Sequence, residues 1–389
     1  MKPVLNQIVD GLAVPPIPEV QEWARGYNGA VGPLIDLSQA VPGYPPPPEL
    51  LNWLGEQASS PAMMGYGRIE GESVLRNAYA NHVSQFYQAR VLPEQTHITS
   101  GCNQAFIASA IAVAGAGDTV LMTNPRYFNH ATTLSMLGIN TAYVDCDPEN
   151  SFLPDIETLR EAVKTAKAFA LVSPNNPTGS VYPSALLSEI FEVCQQAGTW
   201  LILDETYRDF MPVSQRHNLL RQRQWVDGLI QLYSFSKSFC IPGQRLGAIV
   251  AAEPVVAAIA KVMDNIQICA PRAVQAAIAQ AIDPLADWQA ENLQEIERRS
   301  AAMNRVFADL PRWKISSMGA YFAYVRHPFD GQNSAEIARE LAQVAGISCL
   351  PGTYFGENQE AYLRLAFANV DVGTIEGLGA RLKAFRGPA

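Results

Sequence analysis

The chain has 389 residues, which at about 150 residues per domain predicts two or three domains. Hydrophobic residues make up 48% and charged ones 17%, the composition of a compact soluble body and not of a disordered chain. A net charge of -9 argues against a nucleic-acid partner, because displacing phosphate counterions takes a basic face.

Asp10, Pro15 and Pro16 interrupt the apolar stretch near the N-terminus, so no secretory leader is expected. No charge-free run reaches the roughly 18 residues of a membrane span, so a cytoplasmic protein with no membrane partner is expected. Cys102, Cys146, Cys194, Cys240, Cys269 and Cys349 lie far apart without a CxxC pair, which reads as reduced thiols. His82, His97, His130, His217 and His327 are equally dispersed, with no HExxH, and no metal centre is expected.

The first segment with a structural signature is PGYPPPP, residues 42–48, which can continue neither a helix nor a central strand and reads as an extended crossing between domains. From Gly71 to Ala252 apolar β-rich runs alternate with helical patterns. Strands are predicted at 97–99, 119–123, 168–173, 199–203, 229–233 and 246–251, with helices filling the gaps. Runs such as TWLIL and LGAIVAA are apolar at nearly every position, as in a sheet covered on both faces, so the fold class is α/β. A long polar helix pattern follows over 284–310, then short strands at 312–317 and 320–325. The expected organisation is a large domain, 45–285, and a smaller α+β domain made of 1–44 and 286–389.

The most informative segment is SFSKSFCIPGQRLG, residues 234–247. Lys237 follows a predicted strand among small hydroxyl residues; a lysine desolvated there loses its preference for the ammonium form, and a neutral amine attacks aldehydes. Ser234, Ser236 and Arg245 lie close by as phosphate contacts. Upstream, TWLILDETYRDF ends an apolar strand on Asp204, with Tyr207 three residues on, at the kind of strand end where α/β sheets collect ligands. The turn-forming run NNPTG places the amide of Asn176 directly after another strand. In TSGCNQAF a strand joins a helix whose first amides, at Gly101, Cys102 and Asn103, suit a phosphate.

Together these segments resemble the class I and II aminotransferases of pyridoxal-phosphate fold type I, over most of the chain. The resemblance implies a mostly parallel central sheet covered by helices, pyridoxal 5'-phosphate as cofactor, and transfer of an amino group between an L-amino acid and a 2-oxo acid. It implies that Lys237 is the Schiff-base lysine and catalytic base, that Asp204 pairs with the pyridine nitrogen, and that Asn176 and Tyr207 contact the phenolic oxygen. Ser234 and Arg245 would hold the phosphate with the 101–103 turn, and Tyr127 of NPRYFNH, or else Phe128, would stack on the ring. Arg364 of AYLRLAFAN corresponds to the arginine that grips the substrate carboxylate, a task that suits a guanidinium because its planar fork matches a carboxylate bidentately. Tyr66, followed by Gly71, Leu75 and Arg76, corresponds to a phosphate contact donated across a dimer, so a homodimer is implied.

Two departures bear on substrate fit. Ala40 of LSQAVP stands where the family pattern has a glycine close to the substrate carboxylate, and Cys240 stands where a smaller residue is usual. Asn103 stands where some aspartate-using relatives carry lysine, which argues against an aspartate specialist. The motifs around the cofactor leave open a C-S β-lyase, a racemase or a decarboxylase. A ligand-sensing module without catalysis ranks last, since no additional domain is expected before residue 40.

Overall fold

In a computed structural model, residues 3–388 are described. An eight-stranded sheet occupies the middle of the chain: β1 (Thr96–Thr99), β2 (Thr119–Asn124), β3 (Asn140–Asp147), β4 (Leu153–Pro154), β5 (Ala168–Val172), β6 (Trp200–Asp204), β7 (Leu229–Ser234) and β8 (Gly247–Val250). Its order is β1-β8-β7-β6-β5-β2-β3-β4. The pairs from β7 through β3 are parallel, and β8 runs antiparallel to both neighbours. This is the mostly parallel α/β sheet expected from the apolar runs.

Period-2 alternation divides each strand between two cores. Leu201, Leu203, Leu229, Tyr233 and Phe169 face a large cluster containing the helices Ser73–Tyr87 and Ser184–Ala197. Ile202, Ile230, Leu232, Ala168 and Ala170 face the opposite cluster with Ala105 and Phe106. The parity carries on to the strand ends, so Asp204 and Ser234 emerge on this second face.

Each of the six predicted strands is present, with ends displaced by a residue or two. The strand β3 was not expected. Its sequence NTAYVDCD is half polar and its outward positions are exposed, so it lacks the continuous apolar run that marked the others. The expectation of helices in every gap also needs correction: between β6 and β7 the chain makes four short 3-10 turns, at Arg208–Phe210, Val213–Gln215, Leu219–Arg221 and Arg223–Asp227. Pro212 and the Gly228 that closes the segment are poor company for an α-helix.

A second sheet, β9 (Lys314–Gly319), β10 (Phe322–Arg326), β11 (Leu350–Pro351) and β12 (Tyr362–Leu365), is wholly antiparallel, in the order β9-β10-β12-β11. The 23-residue helix Ala286–Ala308 packs its Ile296, Met303 and Phe307 into a core with Phe322, Val325 and Leu363. Leu37 joins that core. Its strand segment Ile35–Asp36 pairs in parallel with Ile347–Ser348, tying the early chain to the late chain. The helix α1 (Pro16–Arg25) lies against the same part, with Glu19 accepting from the Tyr354 hydroxyl at 2.6 Å. All six cysteines are free, and no described helix is long and apolar enough to cross a membrane.

Candidate active site

The parallel strands β5, β6 and β7 end together at Val172, Asp204 and Ser234, and an open cleft of about 420 Å³ begins there. Such strand ends are where open α/β sheets bind ligands, because the following turns diverge and leave a crevice. The cleft is roofed by residues of the second sheet's half, including Ala40 and Arg364.

Lys237 sits on α2 (Phe235–Ser238), a single helical turn directly after β7. One turn is not self-supporting, since its few hydrogen bonds do not repay the ordering of its backbone. It is held at both ends. Ser234 caps it by accepting from Ser236 N at 3.3 Å, and Ser238 Oγ meets the Tyr233 hydroxyl at 2.5 Å while that hydroxyl donates to Asp209 Oδ2 at 2.6 Å. Lys237 Nζ donates to the Ala40 carbonyl oxygen and has no carboxylate partner within the described residues. Burial, with Arg364 and then Arg245 adding repulsion, lowers its pKa to about 8.

Asp204 is buried at the end of β6. Its Oδ1 accepts from Thr206 N at 3.0 Å and from Thr206 Oγ1 at 2.7 Å, and His130 Nε2 lies 3.3 Å from Oδ2. Burial works to raise its pKa, but these His130 and Thr206 contacts outweigh it and hold the carboxyl below the usual range. His130 is itself fixed by stacking on Phe106, ring centroids 3.8 Å apart. The neighbouring Glu205 points to the other face, where its carboxylate accepts from the Tyr87 hydroxyl at 2.8 Å and from Gln231, with His217 Nε2 at 2.9 Å. Two adjacent acids thus serve opposite sides of one sheet.

Gly101, with φ of 86°, turns the chain from β1 into the helix Cys102–Val113. A methyl group there would fall well inside contact distance of the Arg245 guanidinium. The glycine therefore lets a cation lie over the first amides of a helix, where an anion is doubly favoured. Ser234, Ser236, Cys102, Asn103 and Arg245 all line the cleft beside this turn. Burial keeps the Cys102 thiol well above its ordinary pKa and so neutral.

Asn176, in the turn that follows β5, and Arg364, on β12 of the other sheet, meet: Arg364 Nη1 donates to Asn176 Oδ1 at 3.1 Å, and Nη2 to the Ser38 carbonyl oxygen. The Nε of Arg364 is buried without a hydrogen-bond partner, and among the described residues the guanidinium has no acidic partner. A buried cation without an acidic partner is costly, so an anion entering the cleft would be favoured beside it. Tyr207 is buried against Tyr321 and Phe322, and burial raises its pKa well above the usual value, so its hydroxyl stays a donor. Tyr127 lines the cleft edge-on to His130, with ring centroids 5.1 Å apart.

Twelve of the predicted site residues, Ala40 among them, therefore line one cleft, with the alternative stacker Phe128 beside Tyr127 and Gly101 just behind, against Arg245. Tyr66 does not join them in this chain; it is 81% exposed. Sequence reasoning missed His130, although it falls three positions after Tyr127 and so on the same face of a helix. It also missed Thr206 and the lip Pro15–Pro18. The donor set fits pyridoxal phosphate: a nucleophilic lysine, an ionised buried acid, a helix N-terminus with a guanidinium for a phosphate, and an unpaired arginine.

Fold and cleft together describe an α/β protein whose parallel strand ends bring a lysine, a buried acid and an arginine without an acidic partner into one crevice. A profile of "Aminotransferase class I and II" matches residues 32–382, and the chain belongs to that family. It is 29% identical over 357 residues to the aromatic aminotransferase ISS1 of Arabidopsis thaliana, covering 90% of this chain and 89% of the relative. It is 26% identical over 333 residues to an aspartate aminotransferase of Sulfurisphaera tokodaii, covering 82% of each. In three dimensions it superposes on substrate-bound BacF of Bacillus subtilis with a TM-score of 0.90, 23% identity and 98% of both chains covered. An aspartate aminotransferase of Thermus thermophilus gives a TM-score of 0.89 with 22% identity, covering 98% of this chain and 99% of the other. The protein is a pyridoxal-phosphate-dependent aminotransferase of fold type I.

Proposed function

We propose that this enzyme moves an amino group from an L-amino acid to a 2-oxo acid with Lys237 as its central base. The observation that carries this reading is the meeting, in one cleft, of a lysine and an arginine that both lack a carboxylate partner among the described residues. When bound, pyridoxal phosphate supplies an aldehyde carbon and a ring that accepts the electrons released when a proton leaves the substrate. The ionised Asp204, held by Thr206 and His130, keeps a proton on the ring nitrogen. Asn176 and Tyr207 donate to the ring oxygen, while Ser234, Ser236, Arg245 and the amides of 101–103 hold the phosphate. Arg364 grips the substrate carboxylate bidentately. Lys237 Nζ would hold the cofactor's aldehyde carbon and, once substrate amine took that place, would carry the proton from the substrate's α-carbon to that carbon, on the far side of the nitrogen.

The chain divides in this reading into a large cofactor domain, 45–285, and a smaller domain, 1–44 with 286–389. The separate cores of the two sheets support this. Two copies associate so that Tyr66 of each reaches the other's phosphate; its 81% exposure beside the exposed Met64 supports a surface meant to be covered. The free thiols suit a reducing cytoplasm.

The test is the absorbance of the purified enzyme with pyridoxal phosphate, before and after amino acids are added without any 2-oxo acid. Conversion of the visible band to a near-ultraviolet one, with release of the matching 2-oxo acid, is expected. Lys237→Ala should lose at least about 10³-fold in turnover. A persisting band with accumulation of ammonia or an amine would instead identify elimination or decarboxylation.

A further inference from the structure

A substrate whose carboxylate is held by Arg364 and whose α-carbon faces Lys237 must place its side chain against what remains of the cleft wall. That wall includes Pro15, Pro16, Ile17, Pro18, Val41 and Phe128, with the uncharged amides of Gln39 and Asn129 beside them. It adjoins the carboxylate end: the Arg364 guanidinium lies 5.4 Å over the Phe355 ring, and Phe128 packs on the same ring at 5.6 Å. Ile17 and Phe128 lean on one small core that includes Phe355.

The chemistry of the wall is one-sided. Among the described residues lining the cleft, the charged ones are Lys237, Arg245, Arg364 and Asp204, and each already has a use there. The first turn of α1 faces the cleft, and a helix start ordinarily offers free amides to an anion. Here Pro15, Pro16 and Pro18 have no N–H, leaving only Ile17 among the four. Glu19 adds negative charge to the same turn and is fixed by Tyr354. A second carboxylate on the substrate would thus be desolvated at a helix start that has lost most of its donors, whereas an apolar side chain gains by burial.

We propose that Pro15–Pro18, Val41 and Phe128 form the side-chain subsite of this enzyme, that it selects amino acids and 2-oxo acids with uncharged, apolar side chains, and that Ile17 sets the selection. This rests on the aminotransferase reading and adds the substrate class to it.

The experiment compares kcat/KM of the holoenzyme for leucine and methionine with that for aspartate and glutamate, and measures by calorimetry the binding of two unreactive probes, 4-methylpentanoate and succinate. Apolar donors should lead by roughly 100-fold, and 4-methylpentanoate should bind at least about tenfold tighter than succinate. Ile17→Arg should lower the leucine value about tenfold and raise the aspartate value about tenfold; Ile17→Ala, the milder change, should reduce leucine turnover more than alanine turnover. Aspartate or glutamate matching leucine, with Ile17 variants shifting neither, overturns the assignment while leaving the aminotransferase reading intact. If no amino acid of any class converts the cofactor, that reading falls, and equal binding of the two probes then removes the apolar subsite as well.

Discussion

A lysine amine becomes a nucleophile near neutral pH only when its surroundings penalise the ammonium form. For Lys237 the penalty comes first from burial, then from Arg364 and Arg245. With a pKa of about 8, the neutral fraction rises with pH through 8, not through the usual 10.5. The rate at which apoprotein takes up pyridoxal phosphate should therefore climb to a half-maximum near pH 8, and Arg364→Leu should move that midpoint upward; a midpoint unmoved by the variant would deny the arginine this role. Asp204 presents the opposite problem, a carboxylate that must stay ionised while buried. Asp204→Ala should cost about 10³-fold in kcat, read by steady-state kinetics. His130→Phe, which preserves the stacking on Phe106 but removes the nitrogen near Asp204, should cost less, about tenfold.

The turns that follow the strands carry the chemistry, and each is held by groups outside itself. Tyr233, the penultimate residue of β7, reaches past Lys237 to join Ser238 and Asp209, and its ring lies 4.0 Å beneath the guanidinium of the fully buried Arg208. Tyr233→Phe removes a hydrogen bond to a carboxylate, so a loss of about 2 kcal/mol in urea unfolding is expected, with kcat falling several-fold as Lys237 loosens. Gly101→Ala attacks the other turn by forcing a side chain onto a φ of 86° and against Arg245. Its affinity for pyridoxal phosphate should fall at least about tenfold, measured by titration of the apoprotein. Such couplings left little trace in the local pattern: the segment DETYRDF exposed Asp204 as the end of a strand, but nothing in it told that Asp209 would brace the lysine turn.

The molecule as a whole is organised so that its early and late segments close over the middle. Ser38 and Arg364 are bonded across 326 positions, and Asn176 and Arg364 across 188. Tyr66 lies outside the cleft of its own chain, so its part is testable only in the assembly. Sedimentation should give twice the chain mass, and Tyr66→Ala should weaken retention of pyridoxal phosphate several-fold although the side chain packs on little in its own chain. Unchanged retention would place the phosphate entirely within one subunit.

The α/β class, six of the sheet's strands, the long helix 286–308 and the segments bearing Lys237, Asp204, Asn176 and Arg364 were readable from residue order, because apolar runs, turn residues and strand-end motifs are local signals. Four features were not. The half-polar β3 hides because an alternating strand with polar outward positions lacks a run. The 3-10 segment after Asp204 has no periodicity of its own: Pro212 and Gly228 mark where an α-helix fails, not which turns replace it. His130 reaches Asp204, and the proline turn 15–18 reaches the cleft, only because helices and sheets stack there. Contacts between residues so far apart in the chain are set by how the two cores close on each other, and that closure is a property of the packed molecule.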